Sequence, residues 1–156
     1  MLLRLHRRRN SLRLPARRLR DGVLDVLEES VMALLGFKDR FVPKIAAGEK
    51  THTIRERRKI PIKTGETLHL YQRPRQKGMK LILRAPCVRV EEIAIGAGYG
   101  VGAVFIGGEQ LNDSECEQLA RRDGFTDFRE MLSFWDGRLP FLGQIIHWDF
   151  SKRIIR

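Results

Sequence analysis

The residue pattern predicts a mixed α+β domain built on a curled sheet of mainly antiparallel strands with flanking helices. Three observations predict it. Short β-branched runs precede, interrupt and follow the helical stretches, an order that fits neither a regular βαβ series nor an all-β sandwich. The chain has 156 residues, 42% of them hydrophobic, and a chain of that length buries enough surface for one self-sufficient core. Its two cysteines, Cys87 and Cys116, have neither CxxC spacing nor histidine neighbours, so disulfide frames, zinc fingers and thioredoxin-type sites have no support.

Composition changes near residue 32. Eight of the 30 basic residues and four of the 19 acids fall in residues 1–31, and all eight are arginine. This leader is either an upstream extension of the reading frame before Met32 or a basic arm that folds on nucleic acid. Leu24, Leu27, Val31, Leu34 and Leu35 recur at helical spacing, which predicts a short amphipathic helix from about Asp21 to Met32. Residues 32–156 form the domain proper.

Within the domain, Phe41, Val42 and Ile45 give Lys38 to Ala47 one apolar face, with Pro43 restricting where that helix starts and Gly48 ending it. Thr51 to Arg55 reads as a strand, as do Leu68 to Gln72 and Met79 to Ile95, with Pro86 marking an edge or bulge. Asn112 or Asp113 caps a helix through Arg122, and Gly124 closes it. Thr126 caps a second helix to about Trp135, because Phe128, Met131, Leu132 and Trp135 fall on one side. Gln144 to Phe150 alternates as a final strand.

The formal charge is +11. An excess of that size attracts polyanions and speeds their encounter, which favours RNA or DNA as partners over an acidic protein surface. No run of 18 uncharged apolar residues exists and no hydrophobic stretch follows the N-terminal arginines, so neither a membrane span nor a secretory signal is present. A reduced, cytoplasmic protein is the reading.

The densest polar chemistry is Gly48 to Arg55 followed by Glu56, Arg57, Arg58 and Lys59. In a regular strand Thr51, Thr53 and Arg55 share one face, while Ile54 enters the core with His52 beside it. Lys50 has the opposite parity and meets Thr53 only if the turn at Gly48 reorients it. A second basic stretch, Arg73, Arg75, Lys77 and Lys80, crosses a hairpin tip just after Tyr71. An aromatic beside flexible cations can stack a splayed base while the cations track the backbone of a single strand.

Other motifs resolve more plainly. The alternating glycines from Gly96 to Gly102 lead into Val104, Phe105 and Ile106 rather than opening a helix, so they are not a dinucleotide fingerprint, and Gly107 and Gly108 turn a small hairpin. His52, His69 and His147 lie on separate strands and are assigned no metal, and no cofactor motif is present. Trp135 and Trp148 are core or pocket-wall residues. Cys116 sits among acids with no base to activate it.

The run GFKDRFVPKIAAGEKTHTIR and the turn KTGETLHLY resemble the opening of the ASCH domain family. The segment from Ala120 to Thr126 and the closing strand QIIHWDF extend the resemblance over residues 35–150. Its most distinctive part is Gly48, Lys50, Thr51, Thr53, Ile54 and Arg55. The resemblance implies a PUA-like pseudo-barrel with flanking helices, a bacterial or phage setting, and one of two functions. The first is nucleic-acid binding, to RNA or a nucleotide-derived small molecule, for which the two basic stretches and their aromatic offer Arg55, Arg57, Arg58, Tyr71, Arg73, Arg75 and Lys77. The alternative is an amidohydrolase that deacylates N4-acetylcytidine with a Lys, Thr and Glu set. Lys50 and Thr53 match the first two by motif position, and the acid falls on Asp123. Asp is one methylene shorter than Glu, and a misplacement of about 1 Å can cost on the order of 100-fold in rate. A third possibility is an inactive relative serving as an interaction module.

In the hydrolytic scheme Thr53 is the nucleophile and needs a base, so Lys50 must be shifted toward its neutral form by burial and by the like charge of neighbouring arginines. Asp123 would orient Lys50 or pass a proton to the leaving amine, and Arg55 or a backbone N–H would hold the oxyanion.

Overall fold

The computed structural model describes residues 32–96 and 102–155. The N-terminal leader and its expected helix up to residue 31, and most of the glycine run, lie outside the described residues.

Strand β1, Met32–Phe37, is followed by a 3-10 turn at Asp39–Phe41 and helix α1, Val42–Ala46. Next come β2 at His52–Arg55, β3 at Thr67–Gln72 and the long β4 at Lys80–Ile95. The hairpin strands β5, Val104–Ile106, and β6, Glu109–Gln110, precede helices α2, Asp113–Arg122, and α3, Phe128–Phe134, and β7, Phe141–Trp148, closes the core. A 3-10 turn at Phe150–Lys152 follows.

Strand β4 organises the sheet. Its first half, up to Pro86, pairs antiparallel with β3, and its second half, from Cys87 to Ile95, pairs antiparallel with β7. The register shifts between Cys87 and Arg89, just past Pro86, so the extra residue re-aims the strand where it changes partners. Beyond β3 lies β1, which pairs parallel to it, and beyond β7 lies β2, antiparallel. Gly107 and Gly108 have φ of 59° and 84°, the left-handed pair a two-residue hairpin needs, and join β5 to β6.

The expected pseudo-barrel is not what forms. Among the described residues the fold is a mixed α+β domain of seven strands and three α-helices, and its sheet is open: no ladder joins β1 to β2, the two edges that closure would bring together. Side chains take the place of that ladder. The Arg55 guanidinium donates through Nη2 to the Gly36 carbonyl, and Arg58 Nη1 lies 3.4 Å from the Leu34 carbonyl. Long side chains from the β2 segment thus occupy β1 carbonyls that a partner strand would otherwise use, and a seam is left between the two edges.

Strand β1 is an element that sequence periodicity does not reveal, since the helix expected from it ends at about Met32. Leu34 and Leu35 continue a helical spacing in the leader, yet in the structure Ala33, Leu35 and Phe37 are buried while Leu34 is 53% exposed, the alternation of a strand. The expected helix from Lys38 to Ala47 divides into the 3-10 turn and α1, with Pro43 in the first turn of α1, where its missing N–H costs nothing. Helix α2 begins as expected, with Asn112 accepting from Glu115 N at 2.9 Å and Glu115 accepting from Asn112 N at 3.1 Å. Helix α3 is capped by Asp127 and not by Thr126, because the Asp127 carboxylate takes Glu130 N at 2.8 Å while Thr126 N donates to the Glu130 side chain.

The core runs from Leu68, Leu70 and Leu83 across to Ile95, Ile145 and Ile146. Phe41 meets Phe125 and Phe134 edge-on, and these two meet at a tilt, in an aromatic cluster with centroids 5.4 to 6.3 Å apart. This cluster ties the α1 segment to the α2–α3 junction and sets one wall of the seam.

Candidate functional site

The seam encloses a cavity of about 510 Å³. Phe37 from β1 and Phe41, Phe125, Phe134 and Trp135 line it with aromatic surface, and Lys50, Thr53, Arg55 and Asp123 supply polar groups.

Local backbone geometry explains how Lys50 reaches this cavity. The chain leaves α1 through Gly48, whose φ of +78° suits glycine and where an added Cβ would lie 2.7 Å from the Phe150 ring. Glu49 N and Lys50 N then both donate to the Lys44 carbonyl, at 2.9 and 3.1 Å. Lys50 therefore belongs to the turn, ahead of the regular strand that starts at His52, and strand parity does not bind it. The reorientation at Gly48 is the one the sequence required for Lys50 to join Thr53. Thr53 and Arg55 share the cavity face of β2, as parity predicts, with Arg55 Nε donating to Thr53 Oγ1 at 3.1 Å. Thr51, just before the strand, does not line the cavity.

Asp123 is the C-terminal cap residue of α2. Lys50 Nζ lies 2.7 Å from its Oδ1 and 2.5 Å from its backbone carbonyl, while Lys44 Nζ donates to the Gly124 carbonyl at 3.0 Å. Two ammonium groups thus serve the carbonyl-rich, negative end of the helix. Lys50 is 2% exposed and Asp123 5%. Burial pushes the Lys50 ammonium below its ordinary lysine range and the Asp123 carboxyl above its ordinary range, each opposed by the attraction of the other. On the far side of Asp123, His52 Nε2 stands 3.4 Å from the same Oδ1, and the His147 ring packs edge-on at 5.3 Å. Burial, reinforced by the nearby Lys50 charge, holds the His52 pKa down to about 2, so that imidazole is neutral.

The cavity mouth is cationic. Arg57 and Arg58 line it, and Lys38 and Arg138 join them. Arg57 is paired with Glu92 at 2.6 Å. The Arg138 guanidinium lies over the Trp135 ring at 4.5 Å, and Lys38 Nζ sits over Phe134 at 5.0 Å. Tyr71, Arg73, Arg75 and Lys77 do not line this cavity. Arg73 instead borders a shallower neighbouring groove and bonds Asp39 through Nε at 3.0 Å, which holds the Asp39 carboxyl at about 2. Arg75 and Lys77 project from the β3–β4 hairpin tip.

Sequence reasoning thus reached Lys50, Thr53, Arg55, Arg57, Arg58 and Asp123. It missed Phe37, Lys38 and Arg138 as cavity residues. Strand parity in β1 was the available signal for Phe37; nothing local marks Arg138, which arrives through the turn after α3. Among the described residues no group of three or more His, Cys, Asp and Glu side chains is placed to hold a metal ion.

The fold has a solved counterpart. It is similar to the crystal structure of a serine-to-alanine mutant of the ZmASCH protein from Zymomonas mobilis, with 13% sequence identity, a TM-score of 0.50, and coverage of 81% of this chain and 72% of that one. The chain is thus a distant structural match to an ASCH-domain protein, a likeness of fold. No family model and no curated protein matches it in sequence. No helix among the described residues is long and apolar enough to cross a membrane.

Proposed function

We propose that this chain is an ASCH-domain protein that recognises a nucleotide, free or within RNA, in the cavity between β1 and β2. The observation that carries this reading is the pairing of aromatic-ring surface with guanidinium and ammonium groups in one opening of about 510 Å³, the size range of a small-ligand site. A flat heterocycle fits an aromatic wall, and its phosphodiester or phosphate complements the cations. The Arg75 and Lys77 tip lies beyond this opening and would add only sequence-independent backbone attraction.

Trp135 lines the cavity and is an internal reporter. Titrating the protein with nucleotides and with a short labelled oligoribonucleotide should change tryptophan fluorescence and raise label anisotropy, with affinity falling as salt rises. Unchanged fluorescence together with flat anisotropy would remove the reading.

A second reading is favoured by one contact, the 2.7 Å approach of Asp123 to Lys50. The shorter acid reaches its lysine, so the lost methylene leaves no gap there. Burial acts on both groups in the direction of a neutral amine and a neutral carboxyl. A neutral Lys50 could accept the Thr53 hydroxyl proton as Oγ1 attacks the acyl carbonyl, and Arg55, already bonded to Oγ1, could stabilise negative charge nearby. The C–N bond then breaks as the leaving amine takes a proton from Lys50 or Asp123, and water hydrolyses the acyl-Thr53 ester to acetate and free Thr53. Purified protein would then release acetate from N4-acetylcytidine, and Thr53→Ala would abolish release while keeping its unfolding transition. Silence from the unaltered protein rejects this chemistry without touching nucleotide recognition.

A further inference from the structure

We infer that the seam cavity selects phosphorylated nucleotides over uncharged nucleosides, with Arg58, Arg138 and Lys38 taking the phosphate and the aromatic wall taking the base. This inference rests on the proposed nucleotide site and specifies its ligand class.

The carrying observation is the distribution of unmatched charge. Six cations line the cavity, Lys38, Lys50, Arg55, Arg57, Arg58 and Arg138, against two acids, Glu56 and Asp123. Lys50 is matched by Asp123 and Arg57 by Glu92. Among the described residues none of the remaining four cations has a carboxylate within the 4.0 Å of an ion pair. The contrast with the adjoining groove is informative. There Arg73 is matched by Asp39 and Arg40 by Glu130. The two groove arginines are neutralised, whereas four of the six cavity cations have no carboxylate partner among the described residues, an excess of positive charge that complements an anion rather than a neutral solute.

The unmatched groups are also held in place with donors to spare. Arg55 commits Nε to Thr53 Oγ1 and Nη2 to the Gly36 carbonyl, and its plane lies 4.8 Å from the Phe37 centroid. Its Nη1 has no partner among the described residues, which leaves a donor for a base carbonyl. Among the described residues Arg138 commits only Nη2, to the Phe134 carbonyl at 2.9 Å, and its Cζ lies over the Trp135 ring, 4.5 Å from the centroid. Arg138 and Lys38 flank the same Phe134 ring, at 5.2 and 5.0 Å from its centroid. Among the described residues Arg58 makes only the long 3.4 Å contact with the Leu34 carbonyl. Guanidinium groups positioned by ring faces and carbonyls keep the paired N–H edge that phosphate oxygens accept.

The test compares adenosine, guanosine, cytidine and uridine with their 5′-monophosphates by isothermal titration and Trp135 fluorescence. Orthophosphate and a short oligoribonucleotide are run alongside. The tightest monophosphate should bind about tenfold or more tightly than its nucleoside at low salt, the increment expected of charge-assisted hydrogen bonds. In the Arg58→Gln/Arg138→Gln double variant that ratio should collapse toward one; Arg75→Gln, at the hairpin tip, should keep the ratio. Both altered positions lie at the cavity rim, and circular dichroism checks that the fold survives. Equal affinity for nucleoside and monophosphate overturns the inference and leaves the nucleotide site standing. Orthophosphate binding as tightly as any monophosphate overturns it in favour of a bare anion site. Oligoribonucleotide binding without monophosphate binding overturns it in favour of strand tracking. Absence of binding by all of these ligands removes both the inference and the site on which it rests.

Discussion

Asp123 meets three separate demands: its backbone ends a helix, and its carboxylate receives the buried Lys50 ammonium and stands beside an imidazole that must stay neutral. A buried ion pair of this kind is costly to break by removing one partner, because the other is left desolvated and uncompensated. The neighbouring His52 turns this burial into a pH dependence. In the unfolded chain its imidazole titrates near 6.5, whereas burial and the Lys50, Arg122 and Arg89 charges hold it to about 2 in the fold. Below pH 6.5 the unfolded state binds a proton that the folded state refuses. The contribution to stability is therefore complete above that value and is lost as pH falls toward 2, by about 1.4 kcal/mol per pH unit. Thermal unfolding between pH 7 and pH 5 should show a declining midpoint in the unaltered protein and a flatter profile in His52→Gln. Parallel slopes would mean that another group carries the dependence. His147, also pushed down by burial, remains in both proteins and sets the residual slope.

At the scale of elements, the junction between α2 and α3 decides whether the site exists. Gly124 has a φ of +98°, and a Cβ there would meet Phe41 Cδ1 at 2.8 Å. Gly124→Ala should cost at least about 1–2 kcal/mol in denaturant unfolding from backbone strain alone. It should also weaken ligand binding, since Phe41 lines the cavity and the preceding residue anchors Lys50; an unfolding midpoint and affinity both unchanged would contradict that placement. The helix pair and the glycine stop were legible because caps are local: Asn112 and Glu115 stand three apart, and Gly124 follows directly on the last turn. Asp127 displaced Thr126 as a cap through competition for Glu130, which depends on where the Glu130 side chain goes. Strand β1 was illegible for a related reason. Its apolar residues also fit the helical spacing of the leader, and its strand identity comes from pairing with β3, more than 30 residues away in sequence.

At the scale of the molecule, the open seam is the property that matters. β4 and β7 lie inside the sheet, flanked on both sides, whereas β1 and β2 each present an edge to the cavity. Amide hydrogen exchange should therefore be faster in Met32–Phe37 and His52–Arg55 than in the paired stretch of β4 and β7, and a ligand bridging the seam should slow the first two preferentially. Uniform protection across all four strands, or slowing confined to the β3–β4 hairpin tip, would place the ligand elsewhere. The second basic stretch illustrates how far charge counting goes. Arg73, Arg75 and Lys77 look equivalent in sequence, but Arg73 is spoken for by Asp39, a partner supplied by a turn 34 residues earlier.

The sequence by itself determined the α+β class, the Asn112 helix cap, the hairpin turn at Gly107 and Gly108, and the grouping of Thr53 with Arg55, because these follow from local backbone preference and strand parity. Only the tertiary structure decided that the sheet stays open, that Asp123 and Lys50 meet across 73 residues, and which cations remain unmatched. Those outcomes depend on which chain segments become neighbours, and burial and charge pairing are set by neighbours in space.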